Sequence, residues 1–469
     1  MKKITKVAKF GGSSLSDFNQ LRKVLKIIQN DPLIMAVVVS AFGKRSSQDE
    51  KVTDLLIQIS DLINNNQEWN HIWEKIRIRH TETMQKLGLS ESLHKLLEEV
   101  KEAIMENSHY DFIVSRGEYL SARIMTAYLN LLGTEAYFLD AKDCVVFSGS
   151  RLNYEKTCRL IKAKTPKTGI VIIPGFYGSD TSGRIHAFSR GGSDLTGALV
   201  ACGLRVSVYE NWTDVDGVLT ADPKFVTGAT PIRCMSYKDA HILTSFGASV
   251  LHEETVPYLI KYGITLHIRN TNDPEAFGTK VLPKFKNIGG AVGVACQREV
   301  TVFSVSKIIP LSAVGYGEKL FHIFALNQIP YVFELPGSDE FSLIVADLYL
   351  HNSPNASKSE KNKKLNERLI DLKYEINDQI HPDSIEILKN LSVFTVVGSE
   401  LTTLSIALNV LISNNIPCPV QHRGPSGQTI IAVPNEYAHT AYQLIHSALF
   451  FKTPATSNAI FAEEGCHHI

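Results

Sequence analysis

A chain of 469 residues, 44% of them apolar and 20% charged, is long enough for roughly two to four domains and too hydrophobic for disorder. Its 48 basic and 48 acidic side chains cancel, which argues against a general nucleic-acid binder or a membrane-surface binder. The seven cysteines (144, 158, 202, 234, 296, 418 and 466) show no Cys-x-x-Cys spacing and read as reduced thiols of a cytoplasmic protein.

No apolar signal core follows Lys2, Lys3 and Lys6. The longest apolar run, Leu33 to Val39, is far too short to cross a bilayer. In chain order, the first predicted strand, Ile4–Phe10, runs into Lys9-Phe10-Gly11-Gly12-Ser13-Ser14 and then an amphipathic helix over Asp17–Ile28. A strand that turns through glycines into a helix gathers backbone N–H groups at one point, where phosphate binds readily. Lys9 adds a mobile positive charge suited to a transferring phosphoryl group. A second strand, Leu33–Ser40, leads to a basic insertion from Lys44 to Lys51, placed to act as a lid, and to a helix over Thr53–Leu62. Trp69 to Ser108 reads as a polar helical excursion without chemistry of its own.

Glu118 opens a predicted helix over Glu118–Leu132, where the helix dipole favours its ionised form. It is equally the glutamate of a Ser115-x-x-Glu118 capping box. Strands follow at Glu135–Leu139, Gly169–Pro174, Arg205–Tyr209 and Ile264–Ile268. The second glycine turn, Ser189-Arg190-Gly191-Gly192-Ser193-Asp194, precedes a helix over Leu195–Cys202 and offers one guanidinium and one carboxylate. Asp194 is also a plausible N-cap there. Strands alternating with helices imply a mainly parallel sheet covered on both faces, with ligands beyond the carboxyl ends of the strands. Neither a P-loop nor a Gly-x-Gly-x-x-Gly turn is present, since Gly43-Lys44 is followed by Arg45.

Beyond residue 286 the pattern changes to short strand–helix–strand units. The first has strands at Thr301–Ser306, Tyr331–Leu335 and Phe341–Val345 and a helix near Glu318–Asn327. An exposed loop is expected over His351–Leu365. The second unit has strands at Val393–Val397, Pro419–His422 and Thr429–Val433, with helices over Leu401–Ser413 and Asn435–Phe450. Two copies of one small α+β unit suggest a regulatory module.

Seven motifs in order resemble the aspartate kinases, monofunctional members of the amino-acid kinase family with C-terminal tandem ACT domains. They are KFGGSS (9–14), SRGEYLSARI (115–124), PGFYGSD (174–180), FSRGGSDLTGAL (188–199), ENWTDVDGVLTADPK (210–224), FGASVLHEE (246–254) and IRNTNDPEAFGT (268–279). The resemblance implies an α/β amino-acid kinase catalytic domain over 1–285, a mainly parallel sheet sandwiched by helices. Two ferredoxin-like α+β ACT units would follow, over 290–385 and 386–455, leaving no room for a fused homoserine dehydrogenase. It also implies transfer of the ATP γ-phosphoryl group to the side-chain carboxylate of L-aspartate.

By that resemblance Lys9 is catalytic, and Asp194 orders the lysine or the metal-bound phosphates. Thr53, Glu118, Phe176, Arg190 and Ser193 hold aspartate, with Glu118 on its α-ammonium. Lys9, Gly11, Gly12, Ser13, Thr213, Asp214 and Lys224 hold the nucleotide, although Thr213-Asp214 alone could be an Asx turn. Mg2+ would bind through the phosphates, with no protein-only metal cage, and the Cys466-His467-His468 tail reads as solvated. A homodimer through the ACT units is implied, and the effector stays open between lysine, threonine and none.

Three departures from the family pattern stand out. Ser249 replaces a common phosphate-side lysine; Lys224 and Leu219 replace a usual arginine and tyrosine; and Ile329-Pro330-Tyr331-Val332-Phe333-Glu334 lacks the effector-binding aspartate. Glu334, Asp339 or Glu340 are the candidates to replace it. The competing readings are a glutamate or acetylglutamate kinase and a non-catalytic amino-acid sensor. The sensor reading predicts decay of Lys9, Glu118, Arg190 or Asp194, and all four are present.

Overall fold

Valine- and isoleucine-rich strands such as Ile34–Val39 (IMAVVV) and Ile170–Pro174 (IVIIP) have no polar face to offer water. They are therefore stable only with both faces covered. In the computed structural model, which describes residues 4–89, 92–189, 191–246, 253–285, 290–308, 315–337, 339–351, 357–398, 402–424 and 428–451, this requirement is met. The chain forms two compact units. The first comprises Met1–Val218, Pro231–Tyr237 and Leu251–Phe285, and the second Leu219–Thr230, Lys238–Val250 and Lys286–Ile469.

The first unit is built on an eight-stranded sheet among the described residues. Its order is Cys234–Ser236, Thr279–Leu282, Thr265–Asn270, Val208–Thr213, Lys6–Phe10, Ile34–Val39, Ile170–Pro174 and Ala136–Phe138. All neighbours run parallel except Thr265–Asn270 and Thr279–Leu282. Val7, Ala8 and Phe10 of the central strand are fully buried. Asp17 caps the helix Phe18–Asn30 by accepting from the N–H groups of Asn19 and Gln20. The strand expected at Arg205–Tyr209 runs instead from Val208 to Thr213, because Arg205 takes a left-handed conformation (φ 52°) that ends the helix Gly192–Leu204.

Among the described residues the second unit carries a six-stranded antiparallel sheet in the order Phe333–Pro336, Glu340–Ala346, Ala291–Ser306, Ser384–Gly398, Thr429–Pro434, Val420–Arg423. Its two long strands serve both halves. Val300 to Ser306 pairs with Glu340–Ala346 in the first half, whereas Ala291 to Gln297 lies beside Val393 to Gly398 in the second. Each half is thus a βαββαβ unit, and the second takes its last strand from the segment that precedes the first. Two separate cores result, one around Phe303, Phe324 and Leu372 and the other around Phe394, Leu411 and Tyr442.

The loop expected over His351–Leu365 is helical from Lys358, in the helix Lys358–Ile380. Its polar composition hid a capping box, in which Ser357 and Glu360 satisfy each other's backbone N–H. Leu365, Leu369, Leu372 and Ile376 form its buried stripe. Leu219–Thr230 is fastened to the helix Ala438–Phe450 of the same unit. The Tyr442 hydroxyl accepts from the Asp222 N–H at 2.9 Å and donates to the Val294 carbonyl at 2.8 Å.

At the sheet of the first unit sits a buried ionic cluster. Glu210 is fully buried and accepts from Lys6 Nζ at 2.9 Å and from Trp212 Nε1 at 2.9 Å, with Arg269 Nη1 at 3.5 Å. Lys6 also reaches Asp31 at 2.6 Å. Burial alone would depress the Lys6 pKa, yet Glu210 and Asp31 together hold it above the ordinary lysine value. Removing one partner of a buried, hydrogen-bonded charge leaves the others uncompensated. We therefore expect Glu210→Ala to lower the unfolding free energy by about 3–5 kcal/mol in urea titrations, and an unchanged urea midpoint would count against this account of the cluster.

Candidate active site

The glycine turns meet backbone to backbone. After Phe10 the chain enters a 3-10 turn over Gly12–Leu15, and the Gly12 carbonyl accepts from the Gly43 N–H at 2.8 Å. A Cβ at Gly43 would lie 2.4 Å from the Gly12 carbonyl carbon, and one at Gly12 only 2.9 Å from the Ala41 oxygen. Neither position tolerates a side chain. The Gly11 N–H is committed to the Trp212 carbonyl at 3.1 Å, so among the described residues the unused donors of this turn are those of Gly12 and Ser13. Ser14 Oγ lies 2.7 Å from Thr271 Oγ1, which ties the turn to the end of the strand Thr265–Asn270.

Strand register brings the next three groups together. Lys9 pairs with Asn211 across the parallel strands Lys6–Phe10 and Val208–Thr213, so both side chains leave the same face of the sheet. Lys9 Nζ lies 2.8 Å from Asp194 Oδ1 and 3.3 Å from Asn211 Oδ1. Asn211 Nδ2 donates in turn to Asp194 Oδ1 at 3.0 Å. Asp194 is not the N-cap of its helix. That place belongs to Gly191 (φ 79°), which frees the Asp194 carboxylate for the lysine. Lys9 is 7% exposed, so the cluster holds a nearly buried ammonium at the carboxyl end of a central strand.

Glu118 lies elsewhere in its helix than expected. The helix starts at Tyr110, eight residues earlier, and Ser115 donates to the Phe112 carbonyl at 2.6 Å instead of capping. Neither the first-turn dipole nor the capping box applies. Glu118 is instead buried mid-helix, and burial pushes its pKa up to about 8, against a smaller opposing effect of the Ala41 N–H. Its Oε2 has no hydrogen-bond partner among the described residues. The neighbouring Gly117 lets the helix approach that loop, since a Cβ there would fall 2.7 Å from the Ala41 Cβ.

Phe176 has a left-handed backbone (φ 76°), uncommon for an aromatic residue, and its N–H donates to Thr196 Oγ1 at 3.1 Å. A Cβ at Gly192 would touch its ring at 2.9 Å, and one at Gly175 would meet Ser193 Oγ at 2.6 Å. Phe176, Ser193 and the second glycine turn are therefore one packed group. Thr53 is the second residue of the helix Val52–Asn64 and is half-buried.

Thr213 ends the strand Val208–Thr213, and its Oγ1 donates to Asp214 Oδ1 at 3.2 Å. Lys224 belongs to the second unit, where it is exposed and its N–H donates to Asp222 Oδ1 at 2.9 Å. Arg190, Ser249 and the Cys466-His467-His468 tail lie outside the described residues. Asn211 and Gly43 are the site residues that sequence reasoning missed. Asparagine is disfavoured inside strands, and its presence between Glu210 and Trp212 was the available signal.

The amino acid kinase family model matches residues 5–270. Aspartokinase 3 of Bacillus subtilis is 30% identical over 407 residues, covering 84% of this chain and 87% of that protein. Lysine-sensitive aspartokinase 3 of Escherichia coli is 26% identical over 95% of this chain and 99% of its own length. The crystal structure of Clostridium acetobutylicum aspartate kinase superposes with a TM-score of 0.84 at 33% identity, covering 95% of this chain and 100% of that one. The chain belongs to the amino acid kinase family and, within it, to the aspartokinases.

Proposed function

We propose that this chain transfers the γ-phosphoryl group of ATP to the side-chain carboxylate of L-aspartate, giving 4-phospho-L-aspartate, with Lys9 at the centre of the reaction. The observation that carries this reading is the Lys9–Asp194–Asn211 cluster beside the Gly12–Gly43 turn. Two anions, carboxylate and triphosphate, must approach against their mutual repulsion, so a fixed positive charge between them does most of the work. Asp194 and Asn211 hold Lys9 Nζ in place, and the Gly12 and Ser13 N–H groups are available to the phosphate oxygens.

Mg2+ arriving on the triphosphate would offset phosphate charge, with Asp194 the acidic side chain at the lysine. Glu118, with an unpartnered and buried Oε2, suits the α-ammonium of aspartate. Thr53, Phe176, Ser193 and Arg190 complete the aspartate side of the proposal, and Thr213 and Asp214 the nucleotide side.

Lysine is the first effector to test, because the Escherichia coli relative is lysine-sensitive, and threonine is the second. Glu334, Asp339 and Glu340 supply carboxylates on or beside the strands Phe333–Pro336 and Glu340–Ala346. Pairing of two copies through the second unit fits the exposed Leu326, Tyr331, Ile370 and Tyr374. Cys144, Cys158, Cys202, Cys296 and Cys418 are free thiols, which fits a cytoplasmic setting, but Cys234 is disulfide-bonded and corrects the expectation of seven reduced cysteines. No helix among the described residues is long and apolar enough to cross a membrane.

The direct test is hydroxylamine trapping of the acyl phosphate with aspartate, glutamate and acetylglutamate in parallel, each with and without lysine or threonine. An aspartate-dependent hydroxamate is expected, and no product from any substrate would favour the sensor reading. Lys9→Ala should lower kcat by at least about 10²–10³-fold while the far-ultraviolet circular dichroism stays unchanged. Retention of most activity in a folded Lys9→Ala protein would remove Lys9 from the mechanism.

Glu118 makes a pH prediction. Its folded pKa, about 8, lies above the ordinary 4.5, so the folded protein holds a proton that the unfolded chain releases. The stability this contributes is fully present below pH 4.5 and is lost as pH rises to about 8. Glu118→Gln should lack that component of the pH dependence of urea unfolding. Binding of the aspartate ammonium stabilises the carboxylate, so calorimetry in buffers of different ionisation enthalpy should detect proton release near pH 7. The same buffer dependence in Glu118→Gln would contradict the assignment.

A further inference from the structure

Within the helical excursion that carries no motif, Arg79 on the helix Asn70–Lys86 is a charged side chain only 3% exposed. Its guanidinium reaches three backbone carbonyls from three separate segments. Nη1 donates to the Glu50 oxygen at 2.9 Å, and Nη2 donates to the oxygens of Ser16, at 3.0 Å, and Gly43. Asp49, 3.4 Å away, is shared with Arg45, and the Arg79 Nε has no partner among the described residues. Burial depresses the Arg79 pKa and Asp49 only partly opposes this, so the charge is held at a cost. The next residue reinforces the same point of the fold. His80 is fully buried and stacks flat on Phe42, with ring centroids 4.7 Å apart and planes 8° apart.

The contacts close a ring. The Gly43 N–H donates to the Gly12 carbonyl, the Gly43 carbonyl accepts from Arg79, and Arg79 also holds the carbonyl of Ser16, just past the Gly12–Leu15 turn. Both polar groups of Gly43 are thereby used, and the planar trans peptide turns the Lys44 N–H away from Arg79. The third carbonyl, of Glu50, anchors the far end of the basic Lys44–Lys51 insertion to the same guanidinium. A lysine offers a point charge, whereas this task needs several donors in one plane.

We propose that Arg79 is a positioning residue for phosphoryl transfer, holding the Gly12–Gly43 turns and the 44–51 insertion in one arrangement around the nucleotide phosphates. The proposal rests on the kinase reading above. Displacement of the turn by about 1 Å is enough to cost about 100-fold in catalysis.

The test is steady-state kinetics of the full chain, with aspartate hydroxamate as the readout, for wild type, Arg79→Ala and Arg77→Ala. Arg77 is half-buried and pairs with Glu74 on its own helix, away from the turns, so its loss should leave the kinetics unchanged. For folded Arg79→Ala we expect kcat/KM for ATP to fall about 100-fold, with a rise in KM for ATP of about tenfold. The KM matters because loss of folded protein lowers apparent kcat without moving KM. A folded variant with unchanged kcat and KM, or with a lower kcat and unchanged KM for ATP, would overturn the proposal. If Arg79→Ala does not fold, Arg79→Gln and Arg79→Lys, which keep part of the volume and a donor, are judged by the same criteria. Absence of hydroxamate from wild type would instead sink the kinase reading itself.

Discussion

The site depends first on the parallel pairing of the strands Lys6–Phe10 and Val208–Thr213. Their register sets Lys9 opposite Asn211, and a slip of one residue would send Lys9 to the other face of the sheet. The strands are buried on both faces, so the register is fixed by packing of Val7, Ala8 and Phe10 against Tyr209 and Trp212 and not by the polar groups themselves. The apolar residues supply the free energy, and the lysine uses the position they create. Asp194 arrives from a different part of the chain because Gly191 starts its helix in a conformation that leaves the carboxylate free.

Much of this was legible in the sequence, for a physical reason. Strand–glycine–helix punctuation is local, so the two turns and the residues on them, Lys9 and Asp194, could be found without a fold. What was missed depends on contacts between distant segments. Asn211 becomes a site residue only through its register with Lys9, and Gly43 only through the Gly12 carbonyl. Glu118 was identified as a residue of interest but given the wrong environment. A Ser-x-x-Glu spacing occurs inside helices as well as at their starts, and only burial distinguishes the two cases.

The second unit illustrates the same limit at larger scale. Its repeats were visible as strand and helix patterns, yet the strand that completes the second half, Ala291 to Gln297, precedes the first half in the chain. No local pattern encodes that exchange. It follows from continuing each long strand across both halves, which gives one sheet and covers the inner edges that two separate sheets would leave open. Leu219–Thr230 is a further case, since its sequence continues a motif of the first unit while its hydrogen bonds to Tyr442 and Val294 belong to the second.

Three buried ionisable groups differ in what their partners within the chain leave open. Glu210 receives Lys6, Trp212 and Arg269 and asks nothing of a ligand. Arg79 is engaged by carbonyls of three segments, so its charge serves the shape of the backbone around it. Glu118 alone of the three carries a carboxylate oxygen without a partner among the described residues, in a place that raises its pKa to about 8. A protein gains nothing in stability from such a group, because an apolar side chain of the same size would avoid its desolvation. Its presence is accounted for if a cation completes it during the catalytic cycle, which is the role an amino-acid substrate's ammonium would fill.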